Sequence, residues 1–408
     1  MVSKYDVFYI IGIKGAVRTA GIVEALHKPK REYKTIFNYV MELEKKGYIE
    51  RNGTIKVIHN EKSKKLFRLI SFCIDNRINY NLMFKETMLE FIKKAAKKEF
   101  FTIKDMKIHS QTFNFYTSAL TKHGFLLIIS RKPLKCKLLR HHFLIDLMEF
   151  FNKKLEFYVS KQGSFINEIK KELNKYKRNL KINYSIIQEL EKKEEVNFIH
   201  YSLNLEGNPL TLPETQKLIL EKIVPEEHKL ETIQEVTDYK KAVDLMIANA
   251  KNKVKLDLPL ILEYHKIAMS HIHGAGEIRK QNVRINLNPN FKACEWRLIS
   301  LKLNELIEKY KEFISEKRSV EEAIRFASFF HNEFQKIHPF IDGNSRISRL
   351  LMLHILRSYG IPALDLPLGY FDLYLDLTKR STKRDDEAFN YLIEEIVLMD
   401  LKRINLAI

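Results

Sequence analysis

Between Ser319 and Gly360 the apolar residues return every three or four positions, broken once in the middle. Ala323, Phe326, Ala327, Phe330, Phe334 and Ile337 form the first stripe, the period of a helix with one buried face. Ser319 and Glu322 have capping-box spacing at its start, and Pro339 forbids its continuation. Ile347, Leu350, Leu351 and Ile355 begin a second stripe that runs out at Gly360 and Pro362. The pattern predicts helix, tight turn, helix, with His338 delivered at the end of the first. After Pro367 the chain reads as mostly helical.

The N-terminal pattern differs. Thr19 to Leu26 reads as a short helix and Arg31 to Lys46 as a longer one, with Ile36, Tyr39, Val40 and Leu43 on one face. Gly47-Tyr48-Ile49-Glu50 turns into a strand, Arg51-Asn52-Gly53-Thr54 makes a hairpin, and Ile55 to Ile58 returns. The same order recurs about 77 residues on: Phe101 to Met106, Ser110 to Lys122, a strand from Gly124-Phe125-Leu126, and a turn at Ser130-Arg131-Lys132-Pro133. Ile166, Ile169, Leu173, Tyr176 and Leu180 then space an amphipathic helix, read as a connecting or dimerising element.

Charge divides the chain. Residues 1–200 hold 40 Lys+Arg against 21 Asp+Glu, whereas residues 201–408 hold 30 of each. The whole excess of positive charge lies in the first half, which points to an acidic partner there, nucleic acid first. No apolar run approaches a membrane span and no basic-plus-apolar signal segment opens the chain, so a cytoplasmic protein without membrane contact is expected. Cys73, Cys136 and Cys294 fit no zinc or redox spacing.

The turn from His338 to Arg349 carries the chemistry. It brings together a possible base, a carboxylate, a glycine and two arginines. The N–H groups from Gly343 to Arg346 sit at a helix N-terminus, which favours an anion. Asp342 is a hard oxygen donor suited to Mg²⁺. Arg346 and Arg349, three apart, share a helix face and can hold phosphates. His338 can take a proton from a hydroxyl. These residues suit nucleotidyl or phosphoryl transfer. Phe340 is assigned to the core.

The segment resembles the signature of the Fic family, His-x-Phe-x-Asp/Glu-Gly-Asn-Gly-Arg-x-x-Arg. The resemblance implies AMP transfer from ATP, with Mg²⁺ or Mn²⁺, to a hydroxyl side chain of a protein target or of the chain itself. It assigns His338 as the base and Asp342 as the metal ligand. It makes Gly343, Asn344 and Ser345 part of the anion hole, and Arg346 and Arg349 ligands of the outer phosphates. Ser345 departs from the usual glycine. Members with lysine there include phosphotransferases, so a phosphotransferase variant is the alternative chemistry. Gly276 to Ile285 resembles the family's flap, in which Asn282, Val283, Arg284 and Ile285 would dock an extended target segment by β-augmentation. Ser202-Leu203-Asn204-Leu205-Glu206-Gly207 is similar to its inhibitory motif, which implies that Glu206 pairs with Arg349, with Ser202 and Gly207 completing the motif. Glu206 could also orient a water for removal of AMP. Tyr374 and Leu377 resemble the family's adenine contacts.

The N-terminal halves resemble winged-helix DNA-binding domains, with Lys30, Arg31, Lys34, Arg51, Arg131, Lys132, Lys135 and Lys137 as candidate phosphate contacts. The expected architecture is mainly α: two small α+β winged-helix domains (1–75 and 76–150), a helical connector (151–195), and a Fic-type helical catalytic domain with a β-hairpin flap (196–408) whose inhibitory motif spans 202–208. Duplex DNA is the expected partner of the basic half, and a symmetric homodimer is the commonest oligomer for such a chain. The rival reading is a DNA-binding transcriptional regulator whose Fic half only senses nucleotide.

Overall fold

The computed structural model describes residues 2–158, 164–225, 228–284, 291–362, 365–381 and 383–408. Two compact units emerge: residues 1–123 with 140–158, and residues 124–139 with 159–408.

In the first unit the helices Thr19–Ala25 and Tyr33–Lys45 are followed by the antiparallel strands Ile49–Asn52 and Thr54–Val57, joined at Gly53. Gly53 has φ +72°, which a hairpin turn of this length asks of its glycine. Ile36, Val40 and Leu43 are buried as the spacing predicts, and Tyr39 is half-buried. The later helices Glu86–Ala96 and Ser110–Lys122 bury Phe91, Phe113, Tyr116 and Leu120.

The hairpin of strands Leu126–Arg131 and Leu134–Leu138 belongs to the second unit. The stretch expected as one domain, 76–150, is therefore shared between the two units. Within the second unit Gly369 N donates to Gly124 O at 2.9 Å. Lys137, expected to meet phosphates, instead pairs with Glu395 and is largely covered.

The second unit is built around Val320–Ile337 and Asn344–Ser358. The capping box forms as read: Ser319 N donates to Glu322 Oε2 at 2.8 Å and Glu322 N to Ser319 Oγ at 3.2 Å. Every residue from Asn344 to Leu356 is buried, so this helix is enclosed on all sides rather than striped. The helices Leu230–Lys251, Leu258–Ala268, Ile299–Ile314 and Asp386–Leu406 complete the surround. Each large apolar side chain so covered contributes about 1.5–3 kcal/mol.

Residues expected as a connector are part of this core. Ile166–Ile182 packs along Asp386–Leu406, with Lys402 Nζ on Glu168 Oε2 at 2.8 Å and Phe165 N on Glu394 Oε2 at 2.9 Å. The next helix, Tyr184–Asn204, is held by a buried ionic group. Arg403 donates to Glu194, to Asp365 Oδ2 (2.8 Å) and to Asp400 Oδ1 (2.8 Å). The three carboxylates lie within 4.8 Å of one another, and the guanidinium supplies the cation that such a group needs. Among the described residues no helix is long and apolar enough to cross a membrane.

Candidate active site

His338 ends its helix in the left-handed conformation, φ 52° and ψ 60°, and the chain reverses through Pro339. Backbone contacts fix this reversal. Phe340 N donates to Asn344 Oδ1 at 2.9 Å, and Asn344 Nδ2 returns a bond to Phe340 O at 2.8 Å. Asn344 thereby shapes the loop with its side chain. Gly343 has φ +80°, and a Cβ there would stand 2.8 Å from Met269 Sδ. Both conformation and space demand glycine. The N–H groups of Asn344, Ser345 and Arg346 open the next helix and have no intrahelical acceptor.

Two residues outside the turn hold it. Arg279, 3% exposed, donates from Nε to His338 O (2.7 Å), from Nη1 to Gln281 O (2.6 Å) and from Nη2 to Cys294 O (2.5 Å). His265 stacks on Phe340, ring centroids 3.6 Å apart. Its Nδ1 accepts from Gly276 N at 2.8 Å while Nε2 lies 3.0 Å from Asp342 O. Those partners require a neutral ring with the proton on Nε2, consistent with burial pushing it down to about 4.

Asp342 extends a largely exposed carboxylate. Oδ1 accepts from Gly343 N (2.6 Å) and Oδ2 from Arg346 Nη2 (2.9 Å). Arg346 also pairs with Glu235. One exposed carboxylate with spare lone pairs, beside open helix amides, fits a Mg²⁺ ion whose other ligands are phosphate oxygens and waters.

Arg349 is 2% exposed. Its Nε donates to Ser202 Oγ (2.8 Å), and its Nη2 to Ser202 O (2.8 Å) and to Glu206 Oε1 (2.9 Å). The other Glu206 oxygen accepts from Lys379 Nζ at 2.6 Å. Burial alone would raise the Glu206 carboxyl, but the charges of Arg349 and Lys379 outweigh it and hold it at about 2. Gly207 follows with φ +97°.

A cavity of about 240 Å³ is lined by His338, Ser345, Gln335, Leu377, Lys379 and others. Tyr374 is not on that wall. It is fully buried beneath Arg349, its hydroxyl 3.5 Å from Nη1 and 2.9 Å from His331 Nε2. Tyr374, expected as an adenine contact, here meets the arginine, and Leu377 lines the cavity.

The Fic/DOC family model matches residues 255–356, the stretch that holds His265, Arg279 and the whole turn. The chain carries a Fic/DOC domain. The protein adenylyltransferase Fic of Drosophila erecta is 27% identical over 202 residues, covering 48% of this chain and 39% of that protein. That of Drosophila persimilis is 25% identical over 208 residues, 50% and 40%. The chain thus spans about two fifths of the length of these curated relatives. Among solved structures, a Fic domain containing signaling protein from Bacteroides thetaiotaomicron aligns at TM-score 0.54 and 19% identity, covering 59% of this chain and 97% of that one. Fic-1 of C. elegans aligns at 0.50 and 19%, covering 59% and 71%. At such identity these two speak for the fold.

Within the Fic domain, sequence reading brought His338, Asp342, Gly343, Asn344, Ser345, Arg346 and Arg349 to one turn, and Ser202 and Glu206 meet them there. It missed His265, Glu235 and Lys379 as site residues. Arg279 fell within the flap-like segment Gly276 to Ile285 but was given no role there. Of the flap residues, Asn282 accepts from Trp296 N at 3.0 Å. Val283 and Arg284 lie in no strand among the described residues, and Ile285 falls outside them.

The domain buries four neutral histidines and half-buries a fifth, His338. Burial pushes His200, His265, His338 and His354 down to about 4 and His331 to about 3. Unfolded, each would titrate near its ordinary value of about 6.5. The unfolded chain then binds more protons between pH 6.5 and 4, so this stabilisation is complete above 6.5 and is lost as pH falls. The loss is up to about 1.4 kcal/mol per histidine per unit. Glu194, Glu195, Asp365 and Asp400, which burial raises, oppose this but are fewer. Melting curves should therefore move down steadily from pH 7 to pH 5. An unchanged melting temperature over that range would mean that these rings are not kept neutral.

Proposed function

We propose that the Fic domain transfers AMP from ATP to a hydroxyl side chain of a protein, and that Glu206 holds this activity in check. The observation that carries the reading is a cavity lined by a neutral His338, Ser345 and Lys379, the last paired with Glu206, beside the open amides of the Asn344–Ser358 helix.

His338 Nδ1 is fully buried, which leaves Nε2 as the nitrogen open to a substrate. The ring is pushed down to about 4 by burial, with Arg279 and Lys379 adding to the effect and the Gln335 carbonyl opposing it. It is unprotonated at neutral pH and free to accept. In the proposed step the target hydroxyl oxygen forms a bond to the α-phosphorus while the bond to the bridging oxygen breaks. Pyrophosphate leaves, and the hydroxyl proton passes to Nε2. The amides of Asn344 to Arg346 orient the phosphates at the positive end of the helix, and Arg349 receives the outermost once Glu206 withdraws. Mg²⁺, held through Asp342, would neutralise phosphate charge as it develops.

Incubation with ATP and Mg²⁺ followed by intact-protein mass spectrometry tests the reading, on the chain itself and on candidate targets. A gain of AMP supports it. A gain of phosphate replaces it with the phosphotransferase that Ser345 leaves open, and no gain under any condition, Glu206 variants included, removes it.

A second role rests on the first unit. Its helix–helix–hairpin order and the exposed Lys30, Arg31 and Lys34 at the start of Tyr33–Lys45 support binding to duplex DNA. Full-length chain should bind labelled duplex with an affinity that falls steeply as salt rises. If it does not bind even at low salt, the basic unit is not a DNA reader.

A further inference from the structure

Arg349 has a companion that the family signature does not contain. Glu206 offers one oxygen to Arg349 Nη2 at 2.9 Å and the other to Lys379 Nζ at 2.6 Å. A carboxylate gripped at both ends by separate cations presents two anionic oxygens, as a terminal phosphate would. Lys379 follows the Phe371–Leu377 helix, and Arg380 N on Leu375 O at 2.8 Å fixes the turn that presents it.

We infer that Lys379 is a further ligand of the nucleotide's outer phosphates, held by Glu206 in the closed site and transferred to the triphosphate when Glu206 withdraws. This rests on the adenylyl-transfer reading and on Glu206 as its brake. The geometry around the cavity carries it.

Lys379 lines the same cavity as His338 and Ser345, within reach of a nucleotide bound there. Its charge also reaches the reacting base, being among the influences that keep the His338 ring unprotonated, after burial and alongside Arg279. Arg384, which shares the cavity wall, is instead committed to Glu333 and to Asp386 (2.6 Å). Finally, the Lys379 side chain is 32% exposed against 2% for Arg349. It can follow a ligand as it enters, whereas Arg349 is fixed by Ser202.

The electrostatics lead the same way. With the carboxylate gone, two cations face one another in a partly desolvated site, and such charges demand a counter-ion. A terminal phosphate supplies it, and a flexible ammonium suits a phosphate as a point charge. A nucleoside monophosphate does not reach it.

Calorimetry on full-length Glu206→Gly and on Glu206→Gly with Lys379→Met tests the inference with ATP and AMP as probes. Loss of one charge-assisted contact should weaken ATP binding by about 10–100-fold and leave AMP binding within twofold. In transfer assays KM for ATP should rise more than kcat falls, and Lys379→Arg should restore most of the affinity. Equal ATP affinity with and without Lys379 overturns the inference. So does an equal loss for ATP and AMP, which would mark damage to the site. If Glu206→Gly alone leaves transfer unchanged, the brake fails as a reading, yet the ATP–AMP comparison still decides the role of Lys379.

Discussion

Replacing His338 with asparagine should slow AMP transfer by about 10²–10⁴-fold, the usual cost of losing a general base, with ATP affinity changed little. Asparagine is the sharper choice. His338 sits at φ 52°, a conformation that asparagine tolerates better than most residues, so the turn loses its base without added backbone strain. Arg279 supports the separation of the two effects. Its bond is to the His338 carbonyl, a group that every substitution keeps. The anion-binding amides and Asp342 therefore stay where they are while proton acceptance is lost. Transfer rates from mass spectrometry, read beside ATP affinity and melting temperature, check this. A variant that transfers at the wild-type rate would remove His338 from the chemistry. One that loses ATP binding in equal measure would make it a structural residue of the turn.

How far the site was legible depends on what each residue bonds. The capping box at Ser319 and the stripe that follows are local, and both stand as read. The turn from His338 to Arg349 was legible because its residue types carry their own chemistry. Arg279 was not, because it binds the carbonyls of Gln281, Cys294 and His338, and a carbonyl leaves no mark on residue identity. His265 escaped for the same reason, since its partners are a backbone N–H and a backbone carbonyl.

Charged residues misled in another way. Glu191, Glu194 and Glu195 fall in the stretch expected as a helical connector, yet Glu191 and Glu194 are buried. Their cationic partners, Arg357 and Arg403, arrive more than 160 residues later, beyond the reach of any helical period. Tyr374 has the spacing of an adenine contact, and its ring lies buried under Arg349, a partner that spacing along the chain does not name. The hairpin after Gly124 had the composition of a basic wing. That its Lys137 would meet Glu395 could be learned only from the packing of Asp386–Leu406.

The pair formed by Glu206 and Arg349 carries the other large effect. Glu206→Gly should raise the rate of self-modification or target modification by roughly 5–150-fold, the range of ordinary coupling free energies. Glu206 lies in the turn after the Tyr184–Asn204 helix, so glycine there costs no helical propensity, and the gain would arise from the vacated arginine. Ser202 stays in place and keeps two of the bonds to Arg349, so the guanidinium holds its position. Adding Arg349→Ala to Glu206→Gly should cancel the gain, because the released arginine is the group that seats the outer phosphate. General loosening of the helix would give a gain that survives the loss of Arg349. Glu206→Gln separates charge from shape: it can still accept a hydrogen bond but no longer binds two cations as an anion, so its rate should fall between those of wild type and the glycine variant. If Glu206→Gly has the wild-type rate while His338→Asn is inactive, the domain is an enzyme without this brake. If the gain persists without Arg349, Glu206 acts on something other than the phosphate site.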